Sequence, residues 1–113
     1  MIDGIYHVQF SSPQTNMLGD GLVVLKDSYV NGGDDGFIYL GSFGISGGVV
    51  SGKLFIKRWN PTTVSIFGDR EEFELELSGS QKTDRSFQFS GNVIGESNLK
   101  INASGLFLSE LAQ

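Results

Sequence analysis

Short runs of alternating apolar and polar residues, separated by glycine-rich turns, dominate this sequence. In Glu72–Leu77 every second residue is Phe or Leu and the others are Glu, and similar alternation recurs in Phe87–Ser90 and Leu99–Ser104. A period of two places alternate side chains on opposite faces of a β-strand. The pattern therefore predicts an antiparallel sheet with one buried and one solvated face. No segment shows a helical period of useful length.

Along the chain the pattern predicts seven well-marked strands and one or two short ones in a single domain, residues 1–113. The predicted strands are Gly4–Phe10, Gly21–Lys26, Tyr29–Val30, Phe37–Phe43, Val49–Trp59, Glu71–Ser78, Ser86–Ile94 and Leu99–Leu108. Their even spacing and glycine turns favour an all-β fold, a small antiparallel up-and-down β-barrel of about eight strands. A two-layer β-sandwich is the alternative.

Several local features carry predictions of their own. Gly105 interrupts the alternation of the last strand and predicts a β-bulge there. Thr62–Arg70 is either another short strand or a flap that closes one end of the fold. Asp34 and Asp35 lie between glycines and predict a hairpin turn rather than a calcium loop, because no downstream glutamate has the required spacing. The tail Ser109–Gln113 is expected to fray.

The composition excludes several kinds of chemistry. The chain has no cysteine and one histidine, His7, which excludes disulfides, thiolate metal sites and histidine-rich metal centres. A single histidine on the outward face of a strand is also poorly placed to serve a nucleophilic triad. The sequence therefore predicts no catalytic residue, no metal and no cofactor.

The charge balance bears on partners. Eight basic and thirteen acidic residues give a net charge of −5, which repels a phosphate backbone and predicts no direct nucleic-acid binding. No apolar run approaches the roughly 18 residues of a membrane span, so no membrane contact is expected. Because Met1–Gly4 has neither a basic segment nor an apolar signal region, we expect a cytoplasmic protein.

The densest charge cluster is acidic. Glu72, Glu74 and Glu76 alternate with apolar residues, so they are expected to face solvent, with Lys53 or Lys57 as cross-strand partners. A solvated face is the simpler interpretation, and an acidic patch that binds a protein partner is the alternative. The candidate partner-binding residues are Asp69, Glu71, Glu72, Glu74 and Glu76.

Two of the predicted strands have apolar residues on both faces, which predicts a surface for self-association. The candidate dimer-interface residues are Leu22, Val24, Phe55 and Trp59, although Trp59 is equally suited to plug one end of a barrel. The aromatic residues expected in the barrel interior are Tyr6, Phe10, Phe73, Phe87 and Phe89. Their rings either fill the interior or line a site for one small apolar ligand.

Five short motifs, made of turn glycines and core aromatic residues, lie in the first half of the chain. They are Asp3-Gly4-Ile5-Tyr6, Gly19-x-Gly21, Gly32-Gly33-Asp34, Tyr39-x-Gly41 and Arg58-x-Asn60. Together they resemble the GrlR family, small bacterial negative regulators associated with type III secretion. The resemblance covers the chain through about Asn60, and beyond it only the length and the strand pattern agree.

The resemblance implies a calycin-like (lipocalin-like) barrel that forms homodimers. It also implies transcription regulation by binding and sequestering a transcriptional activator protein, without catalysis and without direct DNA contact. Where the family's founding member has an acidic four-residue loop implicated in partner recognition, this chain has Gly44–Gly48 and no acid. No binding residue carries over there, and Asp69–Glu76 is the only acidic substitute.

Three functions follow from these observations. A non-enzymatic regulator that binds proteins as a dimer is the expected one. A lipocalin-like carrier or sensor of a small apolar ligand is the alternative. An enzyme has the least support, because the sequence couples no nucleophile to a base.

Overall fold

The chain folds into a closed barrel of eight antiparallel strands. The computed structural model describes all 113 residues, Met1–Gln113, and contains no helix. Each strand pairs with its neighbour in sequence, and β8 closes the barrel against β1. The strands are β1 Gly4–Ser12, β2 Met17–Lys26, β3 Tyr29–Gly33, β4 Phe37–Ser46, β5 Val49–Arg58, β6 Glu72–Thr83, β7 Ser86–Val93 and β8 Glu96–Ser109. The predicted barrel is confirmed, and the sandwich alternative is wrong because one continuous sheet closes on itself.

The alternation in the sequence determines which side chains enter the barrel. In β6, Leu75 and Leu77 are buried, whereas Glu74 and Glu76 are exposed. The inward faces of the strands meet in one hydrophobic cluster, whose removal from water is the main favourable contribution to folding. Its buried members are Tyr6, Val8, Val23, Leu25, Phe37, Tyr39, Ile56, Ile66, Phe67, Leu75, Leu77, Phe87, Val93 and Ile101.

Most of the hairpins are longer than the sequence pattern predicts. β3 continues to Gly33 rather than Val30, β4 to Ser46 rather than Phe43, and β6 to Thr83 rather than Ser78. β1 continues to Ser12 and β2 begins at Met17 rather than at the expected Gly21. Similarly, β8 begins at Glu96 rather than at Leu99. The ladder between strands uses backbone groups, so polar side chains near an exposed hairpin do not end the pairing. The sequence pattern does not mark these boundaries, because the alternation fades where both faces of the hairpin are solvated.

Gly105 is paired in the sheet, and the predicted bulge at this residue is wrong. The register between β1 and β8 shifts between Ile5 and Tyr6, which leaves Leu108 as the extra residue. Gly105 instead makes room for an aromatic ring, because a Cβ at this position would lie 2.0 Å from Cζ of Phe87. The absence of a side chain here reflects packing against the neighbouring strand and not a local change in backbone geometry.

The segment Thr62–Arg70 forms a flap over one end of the barrel. It contains only an isolated bridge between Ser65 and Gly68, so the flap interpretation is confirmed and the short strand is wrong. The side chains of Ile66 and Phe67 are buried in the core cluster. The flap is therefore part of the core, although it makes no ladder with the sheet.

Candidate functional site

The barrel encloses a cavity of about 450 Å³. Of its 32 lining residues, 23 are hydrophobic, and its volume lies within the range of small-molecule sites. Four of the five aromatic rings expected in the interior line this cavity: Phe10, Phe73, Phe87 and Phe89. The fifth, Tyr6, is fully buried and packs on Phe87 with ring centroids 5.7 Å apart. The aromatic rings thus leave part of the interior open.

A carboxylate lies in the cavity wall at the turn between β3 and β4. Asp34 Oδ1 accepts hydrogen bonds from the backbone N–H groups of Gly36, at 2.8 Å, and Phe37, at 2.7 Å. Its other oxygen accepts the hydroxyl hydrogen of Tyr39. This arrangement is the hairpin turn predicted for Asp34 and Asp35. Burial, together with the hydrogen bond to Asp34, raises the pKa of Tyr39, which keeps the hydroxyl protonated as a donor.

Two arginines fasten the flap over the cavity. Arg58 donates to Asp69 Oδ1 at 3.0 Å and to the carbonyl oxygen of Thr63 at 3.2 Å. Arg70 binds the Glu96 carboxylate through both terminal nitrogens, one of them at 2.8 Å. The hydrogen bonds from Arg70 lower the pKa of Glu96. Charge-assisted contacts of this kind, together with the buried flap side chains, hold the flap in place.

The outer face of β2, β4 and β5 carries apolar side chains that we call the outer band: Leu22, Val24, Ile38, Leu40 and Phe55. Three of them lie in one row, because Val24 is opposite Asn31, Asn31 is opposite Leu40, and Leu40 is opposite Phe55. Leu22 is 50% exposed and Leu40 is 42% exposed. Three of the four candidate dimer-interface residues, Leu22, Val24 and Phe55, therefore share one face of the barrel.

An acidic stripe, Glu72, Glu74 and Glu76, runs along β6 beside the outer band. Glu74 lies opposite a member of the band, Phe55. Glu72 is opposite Lys57 and Glu76 is opposite Lys53, so both lysines considered as cross-strand partners lie across from glutamates. None of these residues is in an ion pair in the structure. The three carboxylates are exposed and point away from the cavity.

The other candidate partner and interface residues lie at the flap end. Asp69 and Glu71 precede β6 and are not part of the acidic stripe. Their carboxylate oxygens lie 3.0 Å and 3.5 Å from the guanidinium group of Arg58. Trp59 is 56% exposed and donates its Nε1–H to the carbonyl oxygen of Asp34 at 3.2 Å. The interpretation of Trp59 as a plug is therefore wrong, and Ile66 and Phe67 of the flap occupy that place.

The remaining polar features are isolated. His7 Nε2 lies 2.8 Å from the carboxylate of Asp20 on the neighbouring strand, and both side chains reach solvent. No group of three or more His, Asp or Glu side chains is arranged to hold a metal ion. The structure also has no helix of the length and apolar character that crossing a membrane requires.

Two parts of the site escaped the sequence analysis: the hydrogen bond between Asp34 and Tyr39, and the pairing of Arg70 with Glu96. The first had a usable signal, since an aspartate at the start of a turn before a strand accepts hydrogen bonds from the following N–H groups. The second joins residues 26 positions apart and had no local signal.

Fold and site together define a small up-and-down β-barrel protein with a ligand-sized cavity and an exposed apolar face. The family model described as T3SS negative regulator, GrlR, matches residues 1–111. The chain therefore belongs to the GrlR family of negative regulators of type III secretion. The predicted resemblance is confirmed, and the match extends through the second half of the chain, where no motif was recognised. No curated protein matches the chain.

Proposed function

We propose that this chain represses type III secretion in the cytoplasm by binding other proteins, as a homodimer that sequesters a transcriptional activator, without catalysis. The outer band is the observation that carries the proposal. Exposed apolar side chains grouped on one sheet face are a common mark of protein–protein interfaces. The family assignment supports negative regulation of type III secretion, and the outer band is a surface through which this chain can bind other proteins.

The outer band suits a second copy of the chain. A two-fold interface is self-complementary, so a mainly apolar face can meet the same face of its partner. The row formed by Val24, Leu40 and Phe55 spans strands β2 to β5 and offers aliphatic and aromatic side chains for the interface centre. Charged residues are depleted at such centres and lie at the rim, where Lys53, Lys57 and the acidic stripe are found.

The acidic stripe suits the activator. A DNA-binding activator presents a basic surface, and three carboxylates in line on β6 complement it. Because none of the three is in an ion pair, they are available to a basic partner. Occupation of the basic surface by this chain would keep the activator off its promoter.

A single charge placed in the outer band tests the dimer. We expect Leu40→Asp to weaken self-association by roughly 100-fold, because it would bury an unpaired carboxylate at the interface. Leu18→Asp is the matched control, since Leu18 is 79% exposed and lies outside the band. Sedimentation equilibrium of the purified proteins measures the effect. A wild-type chain that stays monomeric at all concentrations contradicts the dimer.

Neutralisation of the acidic stripe tests the activator contact. The variant carries Glu72→Gln, Glu74→Gln and Glu76→Gln, and the control loses three charges elsewhere, through Asp27→Asn, Asp84→Asn and Glu110→Gln. Calorimetry with the host's activator of type III secretion genes should show about tenfold weaker binding for the stripe variant alone. A promoter reporter should show the matching loss of repression. Full repression by the stripe variant would reject this contact.

The cavity favours a second function, the carriage or sensing of a small apolar ligand. Its volume of about 450 Å³ and its largely hydrophobic lining suit such a molecule. Native mass spectrometry of the protein purified from its host should detect one bound molecule per chain. Leu54→Trp, at a half-buried lining position, should weaken that binding by narrowing the space. A wild-type chain that binds no apolar probe contradicts the function.

A further inference from the structure

The negative charge in the cavity wall is concentrated at one end of the barrel, where Asp34 lies. The Asp34 side chain is half-buried in the wall, yet every donor that it meets is neutral: two backbone N–H groups and the hydroxyl of Tyr39. None of the ion pairs of the structure includes Asp34. A partly desolvated carboxylate without a counter-cation attracts positive charge more strongly than one at the surface.

The other charged groups of the lining do not offset this negative charge. Asp35 is exposed beside Asp34, whereas the Asp20 carboxylate lies on the outer face with His7. No lysine side chain offsets this charge, because Lys53 presents its ammonium group on the outer face, opposite Glu76, and lies five residues before Arg58, about 17 Å along β5. The N-terminal ammonium group is at the opposite end of the barrel, where it donates to Gln81.

The nearby arginines do not neutralise Asp34. Arg58, which ends β5 beside the turn, is bound to Asp69, Glu71 and the carbonyl oxygen of Thr63. Arg70 is bound to Glu96. The flap end of the cavity therefore combines an apolar interior with an uncompensated negative charge in its wall.

From this we propose that the cavity selects amphiphiles with a cationic head group, an amine or a quaternary ammonium, over fatty acids. The head group lies at Asp34 and the alkyl chain lies along the apolar interior toward Phe87 and Phe89. This inference rests on the second function proposed above, the binding of an apolar ligand. It adds the charge of the head group and the end of the barrel at which that group lies.

Three probes with the same alkyl chain test the selectivity: dodecyltrimethylammonium and dodecanoate, each below its critical micelle concentration, and dodecanol below its solubility limit. Calorimetry at low salt should give one site per chain. We expect the cation to bind about three- to tenfold more tightly than the alcohol, and dodecanoate to bind more weakly than the alcohol. High salt should reduce the difference, since exposed charges such as that of Asp35 are screened.

Variants locate the head group. In Asp34→Asn the remaining carbonyl oxygen still accepts from the turn, so the fold is retained, and the preference for the cation should fall to less than twofold. Asp35→Asn should reduce the preference by a smaller factor. Asp84→Asn, at the opposite end of the barrel, removes the same net charge and should leave the preference unchanged.

The outcomes separate the inference from the function on which it rests. If the alcohol binds and the cation binds no better, the head-group inference is wrong and the apolar site stands. If dodecanoate binds best, the cavity prefers an anionic head group and the inference is again wrong. If no probe binds, the ligand-binding function fails together with the inference. A cation preference that survives Asp34→Asn also overturns the assignment.

Discussion

The most exacting test of the barrel interior is the substitution Gly105→Ala. A Cβ at this position would lie 2.0 Å from Cζ of Phe87 and 2.4 Å from its Cε2. The Phe87 ring is only 6% exposed and is held by Tyr6 and Phe89, whose ring centroids lie 5.7 Å and 4.9 Å away. The added methyl group must therefore push the ring away from Gly105 toward the cavity that it lines, and this movement disturbs both aromatic contacts.

The expected cost follows from two opposing effects. Overpacking of a well-packed core typically costs about 1–3 kcal/mol. Replacing glycine by alanine also stabilises the fold by about 0.4–1 kcal/mol, because the unfolded chain then has fewer conformations to lose on folding. The net expectation is a destabilisation of about 1.5 kcal/mol, which corresponds to a Tm lowered by roughly 6 °C in a domain of this size.

Urea unfolding followed by tryptophan fluorescence measures the free-energy difference, with calorimetry for Tm. Gly44→Ala is the matched control, because no heavy atom lies within 4 Å of its ideal Cβ, and it should be neutral or stabilising by about 0.5 kcal/mol. Adding Phe87→Leu to Gly105→Ala should give a favourable coupling energy of about 1 kcal/mol in a double-mutant cycle. If Gly105→Ala is as stable as Gly44→Ala, the packing of Phe87 over this glycine is wrong.

Three further substitutions test the polar interior and the flap. Tyr39→Phe removes a hydrogen bond to the Asp34 carboxylate and should cost about 1.5–3 kcal/mol by urea unfolding. The pKa of Tyr39 is raised in the folded state, so its contribution is complete below the ordinary tyrosine pKa and is lost as pH rises toward the folded value. Alkaline unfolding should therefore be less steep in Tyr39→Phe, and an unchanged profile would count against the buried hydroxyl. The pKa of Glu96 is lowered by Arg70, so this contact is complete above the ordinary glutamate pKa and is lost as pH falls through the folded value. Glu96→Gln should accordingly increase protease cleavage in the flap at neutral pH, and equal cleavage would show that Arg70 does not fasten it. Ser12→Ala should be neutral or slightly stabilising in thermal unfolding, because the buried Ser12 hydroxyl has no hydrogen-bond partner, and a loss of more than about 1 kcal/mol would contradict this.

Predictions that rest on local alternation agree closely with the structure. The inward residues of β6 and β7 follow directly from the period of two, because the pleat assigns each side chain a face whatever its neighbours are. The turn at Asp34 is equally local, since its aspartate accepts hydrogen bonds from the next few N–H groups. Glycine-rich turns between eight strands also point to closure, which spares a small sheet its two open edges.

Predictions were incomplete or wrong for residues whose role depends on a contact with a residue far away in the sequence. Gly105 looks like an interruption when β8 is read alone, and its role depends on a ring carried by β7. Asp69 and Glu71 look continuous with the acidic stripe, but both carboxylates pair with Arg58 at the flap, whereas those of the stripe have no ion pair. Whether these carboxylates meet Arg58 depends on which strand ends lie together in the barrel, and the spacing of residues in the sequence does not specify this.

The amino-acid sequence by itself determines that this chain forms alternating strands, joined by tight turns, with an apolar inner face. The alternation of apolar and polar residues and the turn residues depend only on near neighbours in the sequence, so their effect needs no long-range contact. Only the tertiary structure decides that the rings leave a cavity, that Asp34 lies in its wall without a cation, and that the outer band forms one surface. Each of these depends on strands brought together by closure of the barrel, where volume, charge and exposure are set by residues far apart in the chain.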